Sequence, residues 1–223
     1  MPTAPPRAPT AAERDLARAV LGHLKKRYPA AGTALDYRDP WQLLVATVLS
    51  AQTTDTNVNR VTPVLFSRWP SPNDLAEADP EEVEAVVYST GYYRQKARSV
   101  IALSGDLAER FGGEVPPDLV SLTSLHGVGR KTASVVLAEA FGRPAIAVDT
   151  HVGRLARRLG LSASEDPGRV EGDLRALYPM KEWRGISMRF ILFGREVCAA
   201  RRPRCGACPL FDRCPYPRKT TAQ

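Results

Sequence analysis

Residues Ser121 to His151 read S-L-T-S-L-H-G-V-G-R-K-T-A-S-V-V-L-A-E-A-F-G-R-P-A-I-A-V-D-T-H, and this stretch decides the fold. A short helical segment ends near Ser124. Gly127 and Gly129 follow, flanking Val128, where the backbone can take positive φ and come close to another group. A helix then opens with Arg130 and Lys131 and runs to about Phe141. Its Ala133, Val136, Leu137 and Ala140 fall on one face at helical spacing. Gly142 stops it, and Pro144 prevents continuation. A helix N-terminus after such a turn offers its unpaired N–H groups to an anion. Lys131 sits in that first turn, where the helix dipole opposes a cation. Its presence there points to a task other than helix stability.

Outward from this stretch the signals stay helical. Thr10 and Glu13 form a capping box, and the helix they start runs to about Tyr28. Pro29 to Thr33 is a loop. Asp39-Pro40-Trp41-Gln42 starts another helix, with Asp as N-cap and Pro at the first position. The run that follows is apolar nearly all round, as in a central core helix. Further helices are expected at about 54–65, 73–76, 80–88 and 94–110, the last ended by Phe111-Gly112-Gly113. After Pro144, the residues A-I-A-V up to Asp149 could pass for a strand, but no partner strand is apparent. Asp149 is a good N-cap for T-H-V-G-R-L-A-R-R-L-G. Residues 160–168 read as a loop, followed by helices at about 168–177 and 182–197. The class is all-α. No period suggests tandem repeats.

The 223 residues suffice for a sound core in one or two domains. Residues 1–9 are rich in Pro and Ala and read as a disordered tail. No signal peptide is apparent. The longest apolar windows, such as Leu43 to Leu49, are far too short to span a bilayer. A soluble, cytoplasmic chain is expected. The net charge of +7 favours a polyanionic partner, though composition does not separate nucleic acid from an acidic membrane.

The four cysteines are spaced Cys198-x6-Cys205-x2-Cys208-x5-Cys214. In a reducing compartment this clustering favours a metal site over disulfides. Four thiolates from one loop can surround a tetrahedral zinc or an iron–sulfur cluster, and spacing alone leaves both open. Between the first two lies A-A-R-R-P-R. Held by a metal, it would present Arg201, Arg202 and Arg204 to phosphates. Without one, it is an ordinary solvated charge run.

The hairpin L-H-G-V-G-R-K-T-A, followed by A-V-D-T-H, resembles the helix–hairpin–helix of the endonuclease III family of DNA glycosylases. The resemblance covers about Leu35 to Tyr216, and the x6–x2–x5 spacing matches the family's [4Fe–4S] motif at all four ligands. It implies a catalytic pair at Lys131 and Asp149. DNA contacts are expected from the hairpin residues Gly127, Val128, Gly129 and Arg130 and from Thr150 at the next helix start, and, through the metal-anchored loop, from Arg201 and Arg204. His151 is a phosphate-side or structural residue, or a second acid–base group. Gln52 matches the glutamine that enters the gap left by an extruded base; read alone, it is a polar loop residue. Tyr92 stands where the family often has a wedging leucine. It could stack on a base or pack on the following helix. His126 stands where proline is usual.

The resemblance further implies two lobes. One is a six-helix barrel of about residues 33–143, with the hairpin at about 119–142. The other combines residues 10–32 with 144–223 and holds the cluster. Double-stranded DNA would lie across the cleft between them, bound by a monomer associated with the nucleoid.

The expected function is a bifunctional glycosylase and abasic-site lyase for oxidised or ring-damaged pyrimidines. A lysine amine can attack C1′, displace the base and form a Schiff base, which permits β-elimination of the 3′ phosphate. The amine must be neutral to attack, so burial, a helix N-terminus or a cationic neighbour such as Arg130 would help. Asp149 would transfer a proton or stabilise positive charge at C1′. A glycosylase for thymine or uracil opposite guanine is the nearest alternative. A non-catalytic DNA-binding module is the alternative of another class; it leaves the joint presence of Lys131 and Asp149 without a reason.

Overall fold

The computed structural model describes residues 8–219. Most of the expected 1–9 tail lies outside that range. In chain order the helices are α1 Ala11–Arg27, α2 Pro40–Leu49, α3 Asp55–Arg68, α4 Pro72–Ala76, α5 Pro80–Val87, α6 Tyr93–Phe111, α7 Leu119–Thr123, α8 Arg130–Glu139, α9 Thr150–Arg158, α10 Pro167–Leu177 and α11 Trp183–Glu196, with three short 3-10 turns. The described residues contain no strand, and none of their helices is long and apolar enough to cross a membrane.

The caps explain most of the boundaries. Thr10 and Glu13 form the capping box of α1. Asp39 caps α2 with Pro40 at its first position. The α3 helix runs past its expected end at Leu65 to Arg68 and takes in Pro63. The Trp69 N–H closes it on the Leu65 carbonyl. The α8 helix stops at Glu139, two residues early, and the Arg143 N–H folds back onto the Leu137 carbonyl across Gly142, whose φ is +62°.

The chain divides into two compact units: Thr33–Arg143, and the residues up to Gly32 together with those from Pro144 on. The first holds α2 to α8, of which α4 and α7 are five residues each. Its core is built on α2, where Leu43, Leu44, Val45 and Ala46 are all fully buried. Such all-round burial matches the apolar run in the sequence. Its α4 and α5 pack on α6, and α8 packs on α2 and α7.

In the second unit α9, α10 and α11 close on α1 around Val20, Leu24, Leu155, Leu174, Ile186 and Phe190. Residues 145–148, which could have passed for a strand, are irregular backbone. Ile146 and Ala147 are buried there, and the Ala147 N–H donates to Ser187 Oγ at 2.9 Å. A side-chain acceptor thus replaces the partner strand that the sequence does not supply.

Candidate active site

The hairpin between α7 and α8 is fastened to one face of α6. Arg110 donates to the Ser124 carbonyl at 3.1 Å and to its hydroxyl at 2.6 Å. Asp106 accepts from the His126 N–H at 2.7 Å. A Cβ added to Gly127 would lie 3.3 Å from both Cβ and Oγ of Ser99, and Gly127 has a φ of +71°. Glycine is therefore required at 127 on two counts.

Gly129 departs from the expectation of positive φ. Its φ is −83°, it is the N-cap of α8, and a Cβ there would meet nothing within 4 Å. Nothing among the described residues demands glycine at 129. Val128, between them, is buried. Arg130 and Lys131 are exposed in the first turn of α8, and no side chain caps that helix. Its N-terminal dipole thus faces solvent beside the Lys131 amine.

Two further loops of this unit are marked by their backbone. Gln52 at φ +56° and Tyr92 at φ +49° are the non-glycine residues with positive φ among those described. The left-handed conformation costs an L-residue about 1–2 kcal/mol, so neighbouring contacts must hold it. Both side chains are exposed, Tyr92 by 65%. The Tyr92 carbonyl accepts from the Lys96 N–H at 3.0 Å. Lys96 is buried, its ammonium donates to the Thr90 carbonyl at 2.7 Å, and burial pushes its pKa down.

Sequence reading passed over Lys96, though a signal was there. It lies on the α6 stripe that continues through Val100, Leu103 and Leu107, all fully buried. A lysine on such a stripe must find a partner inside.

In the other unit Asp149 caps α9, its Oδ1 accepting from the Val152 N–H at 2.8 Å. Thr150 is exposed and His151 half-buried. Arg154 Nη2 lies 3.0 Å from His151 Nδ1. An arginine has only donors to offer, so Nδ1 accepts and the ring proton is on Nε2. Burial pushes the His151 pKa down, against the raising effect of Asp149, with Arg154 and Arg195 adding to the fall. Arg154 also donates to the carbonyls of Gly194 at 3.0 Å and Cys198 at 3.2 Å.

The four cysteines are free thiols lining one cavity, together with Leu159, Phe193 and Phe211. No three His, Cys, Asp or Glu side chains among the described residues are grouped so as to hold a single metal ion. The thiols surround a common space without converging on one point. Burial pushes the pKa of Cys208 and Cys214 up. Arg158 donates to Cys198 Sγ at 3.4 Å and to the carbonyls of Ala199 at 2.8 Å and Ala200 at 2.7 Å. Free thiols, an apolar wall and a cationic donor suit a thiolate-bound inorganic group. Arg201, Arg202 and Arg204 are all exposed on the same loop.

Residues 45–180 match the HhH-GPD superfamily, described as base excision DNA repair proteins. The chain is 50% identical to an endonuclease III of Synechocystis over 206 residues, 92% of this chain and 94% of that one. It is 46% identical to an endonuclease III of Bacillus subtilis over 195 residues, 87% of this chain and 89% of that one. The chain belongs to the endonuclease III family. A solved structure of a trapped endonuclease III–DNA covalent intermediate superposes with a TM-score of 0.87 at 44% identity, covering 91% of this chain and 96% of that one.

Against the endonuclease III pattern, His126 in place of proline has a local reason. Its N–H is the donor to Asp106, and proline has no N–H to give. Tyr92 places a large exposed side chain on a left-handed residue.

Proposed function

We propose that this chain excises oxidised or ring-damaged pyrimidines from double-stranded DNA and cuts the strand through an imine at Lys131. It is a bifunctional DNA glycosylase and abasic-site lyase of base excision repair. The observation that carries the lyase half is the exposed Lys131, in the first turn of α8 at a helix N-terminus with no side-chain cap. The capture of a 44% identical endonuclease III as a covalent intermediate with DNA supports it.

The Lys131 nitrogen attacks C1′ of the extruded nucleotide. The C1′–N bond breaks, and the base departs with the electron pair and takes a proton. Opening of the sugar ring gives the iminium. Loss of a 2′ proton then expels the 3′ phosphate. Asp149 stabilises positive charge at C1′ or carries the proton, and its cap on α9 fixes where the carboxylate stands.

The amine is exposed in the protein alone, so the burial that favours its neutral form would come with bound DNA. Gln52 and Tyr92 face the gap and the unpaired base. Gly127, Val128, Gly129 and Arg130 meet the phosphates through backbone N–H groups and charge, joined by Thr150, His151, Arg201 and Arg204.

Cys198, Cys205, Cys208 and Cys214 would hold a [4Fe–4S] cluster. The group supplies a cross-link that gives the Arg201–Arg204 segment a fixed shape.

Borohydride trapping on a duplex containing thymine glycol tests the reading, with Lys131→Ala beside the native chain. A covalent adduct with the native chain alone is expected. An adduct only on a preformed abasic duplex would keep the lyase and remove the substrate. None on either duplex would leave a DNA-binding module.

A further inference from the structure

The loops carrying Gln52 and Tyr92 are far apart in sequence but meet at one side chain. Asn57, in the first turn of α3, donates through Nδ2 to Thr53 Oγ1 at 3.1 Å, beside Gln52. The same Nδ2 donates to the Ser89 carbonyl at 2.8 Å, three residues before Tyr92. Its Oδ1 accepts from Ser89 Oγ at 3.3 Å and from Arg60 Nη2 at 2.7 Å. Donors on one side and acceptors on the other fix which way the amide points.

The Tyr92 loop is held further along by Lys96, whose ammonium takes the Thr90 carbonyl and whose N–H takes that of Tyr92. The Tyr92 loop is thus pinned at its backbone and the Gln52 loop at the Thr53 side chain, and one amide reaches both.

We propose that Asn57 is a positioning residue that locks the Gln52 and Tyr92 loops into one two-pronged element, preset to hold an opened DNA duplex. Opening a duplex has a cost in lost stacking and pairing. Prongs that are already ordered lose little conformational freedom on entering it. Two loops free to move separately would each have to be ordered on the DNA. Both amide atoms of Asn57 are taken up by hydrogen bonds within the protein, so the proposal assigns its effect to the opening of the duplex and not to the chemistry at Lys131. The proposal rests on the reading that Gln52 and Tyr92 contact DNA, and its test separates the two.

The measurement is borohydride trapping of an abasic site in a duplex and in a single strand, expressed as the ratio of the two rates. Asn57→Asp keeps the shape and the Oδ1 acceptor but removes the donor to both loops. It is expected to lower the ratio about tenfold, the effect of losing a hydrogen-bonded link. Thr53→Val, which removes only the acceptor beside Gln52, repeats the test if Asn57→Asp melts early.

The readout that a merely structural role would not move is the coupling between the prongs. In the native background, Gln52→Ala and Tyr92→Ala together should lower the ratio by less than the product of their single effects. In the Asn57→Asp background the effects should multiply. Coupling unchanged by Asn57→Asp overturns the proposal. So does a ratio lowered by Gln52→Ala and Tyr92→Ala but not by Asn57→Asp, an outcome that leaves the DNA contacts standing. If neither alanine variant lowers the ratio, the DNA-contact reading falls and the proposal with it.

Discussion

The Asp149 carboxylate accepts a hydrogen bond from the Val152 N–H at 2.8 Å and so begins α9. One side chain is thus a helix cap and the proposed catalytic acid group, and two substitutions separate the roles. Asparagine caps about as well as aspartate, whereas alanine costs about 1 kcal/mol. Asp149→Asn should melt near the native temperature yet lose most glycosylase activity. Asp149→Ala should lose that activity and about 1 kcal/mol of stability as well. Thermal melts and single-turnover excision rates check both. An active Asp149→Asn would restrict the residue to capping.

Arg154 ties α9 to the cysteine loop. Its guanidinium reaches the carbonyls of Gly194 and Cys198 and the ring of His151. Arg154→Met keeps much of the stem and removes the donor to the Gly194 carbonyl and to His151 Nδ1, leaving the Cys198 carbonyl to Arg158 at 3.5 Å. Leaving buried groups unpaired costs about 1–3 kcal/mol, and these are partly buried. The variant should lose stability by about that amount in denaturant and expose residues 198–214 to protease. If the loop stays resistant, its other contacts hold it without Arg154.

Much of this architecture was legible in the chain. The capping box at Thr10 and the caps at Asp39 and Asp149 depend on neighbours within four residues, which sequence displays directly. The positive φ of Gly127 was legible for the same reason, whereas its approach to Ser99 was not. What escaped depends on contacts between distant residues. The link from Asn57 to Ser89 joins elements 32 positions apart. The left-handed backbone at Gln52 and Tyr92 has no glycine to announce it. Lys96 was hidden by its charge, since a lysine ordinarily marks a solvated face. The hairpin stood out because a lysine in a first turn, against the dipole, is a local anomaly, and the resemblance of L-H-G-V-G-R-K-T-A to a known family gave it a proposed role.

Acid should weaken the fold through its histidines. Burial, with Arg27 and Lys26 nearby, pushes His23 below its ordinary value of 6.5, and its buried Nε2 has no hydrogen-bond partner. Burial also lowers His151 from 6.5. Between the lowered pKa and 6.5 the unfolded chain binds more protons than the folded one, so stability rises with pH across that window. It is fully present above 6.5 and is lost as pH falls through the folded values. Melting temperature measured from about pH 7.5 to pH 5.5 should drop. His23→Phe, beside Phe193, should flatten that drop. An equally steep profile in His23→Phe would assign the effect to other groups.

Gly127 and Gly129 should respond differently to the same change. Gly127→Ala forces a Cβ onto a residue at φ +71° and to 3.3 Å from Ser99, so stability should fall by about 1–2 kcal/mol. Gly129→Ala adds a Cβ into open space at an extended φ. As an N-cap, alanine is poorer than glycine by roughly 0.5–1 kcal/mol, so its melt should shift only slightly. The two should nonetheless both weaken binding to duplex DNA, because under the proposed function a phosphate comes close to the first N–H groups of α8, where the Gly129 Cβ would stand. Fluorescence anisotropy on a duplex with an abasic-site analogue reads the affinity. A Gly129→Ala variant that binds like the native chain would remove the backbone of residue 129 from the phosphate contact and leave Arg130 and Lys131 to make it by charge alone.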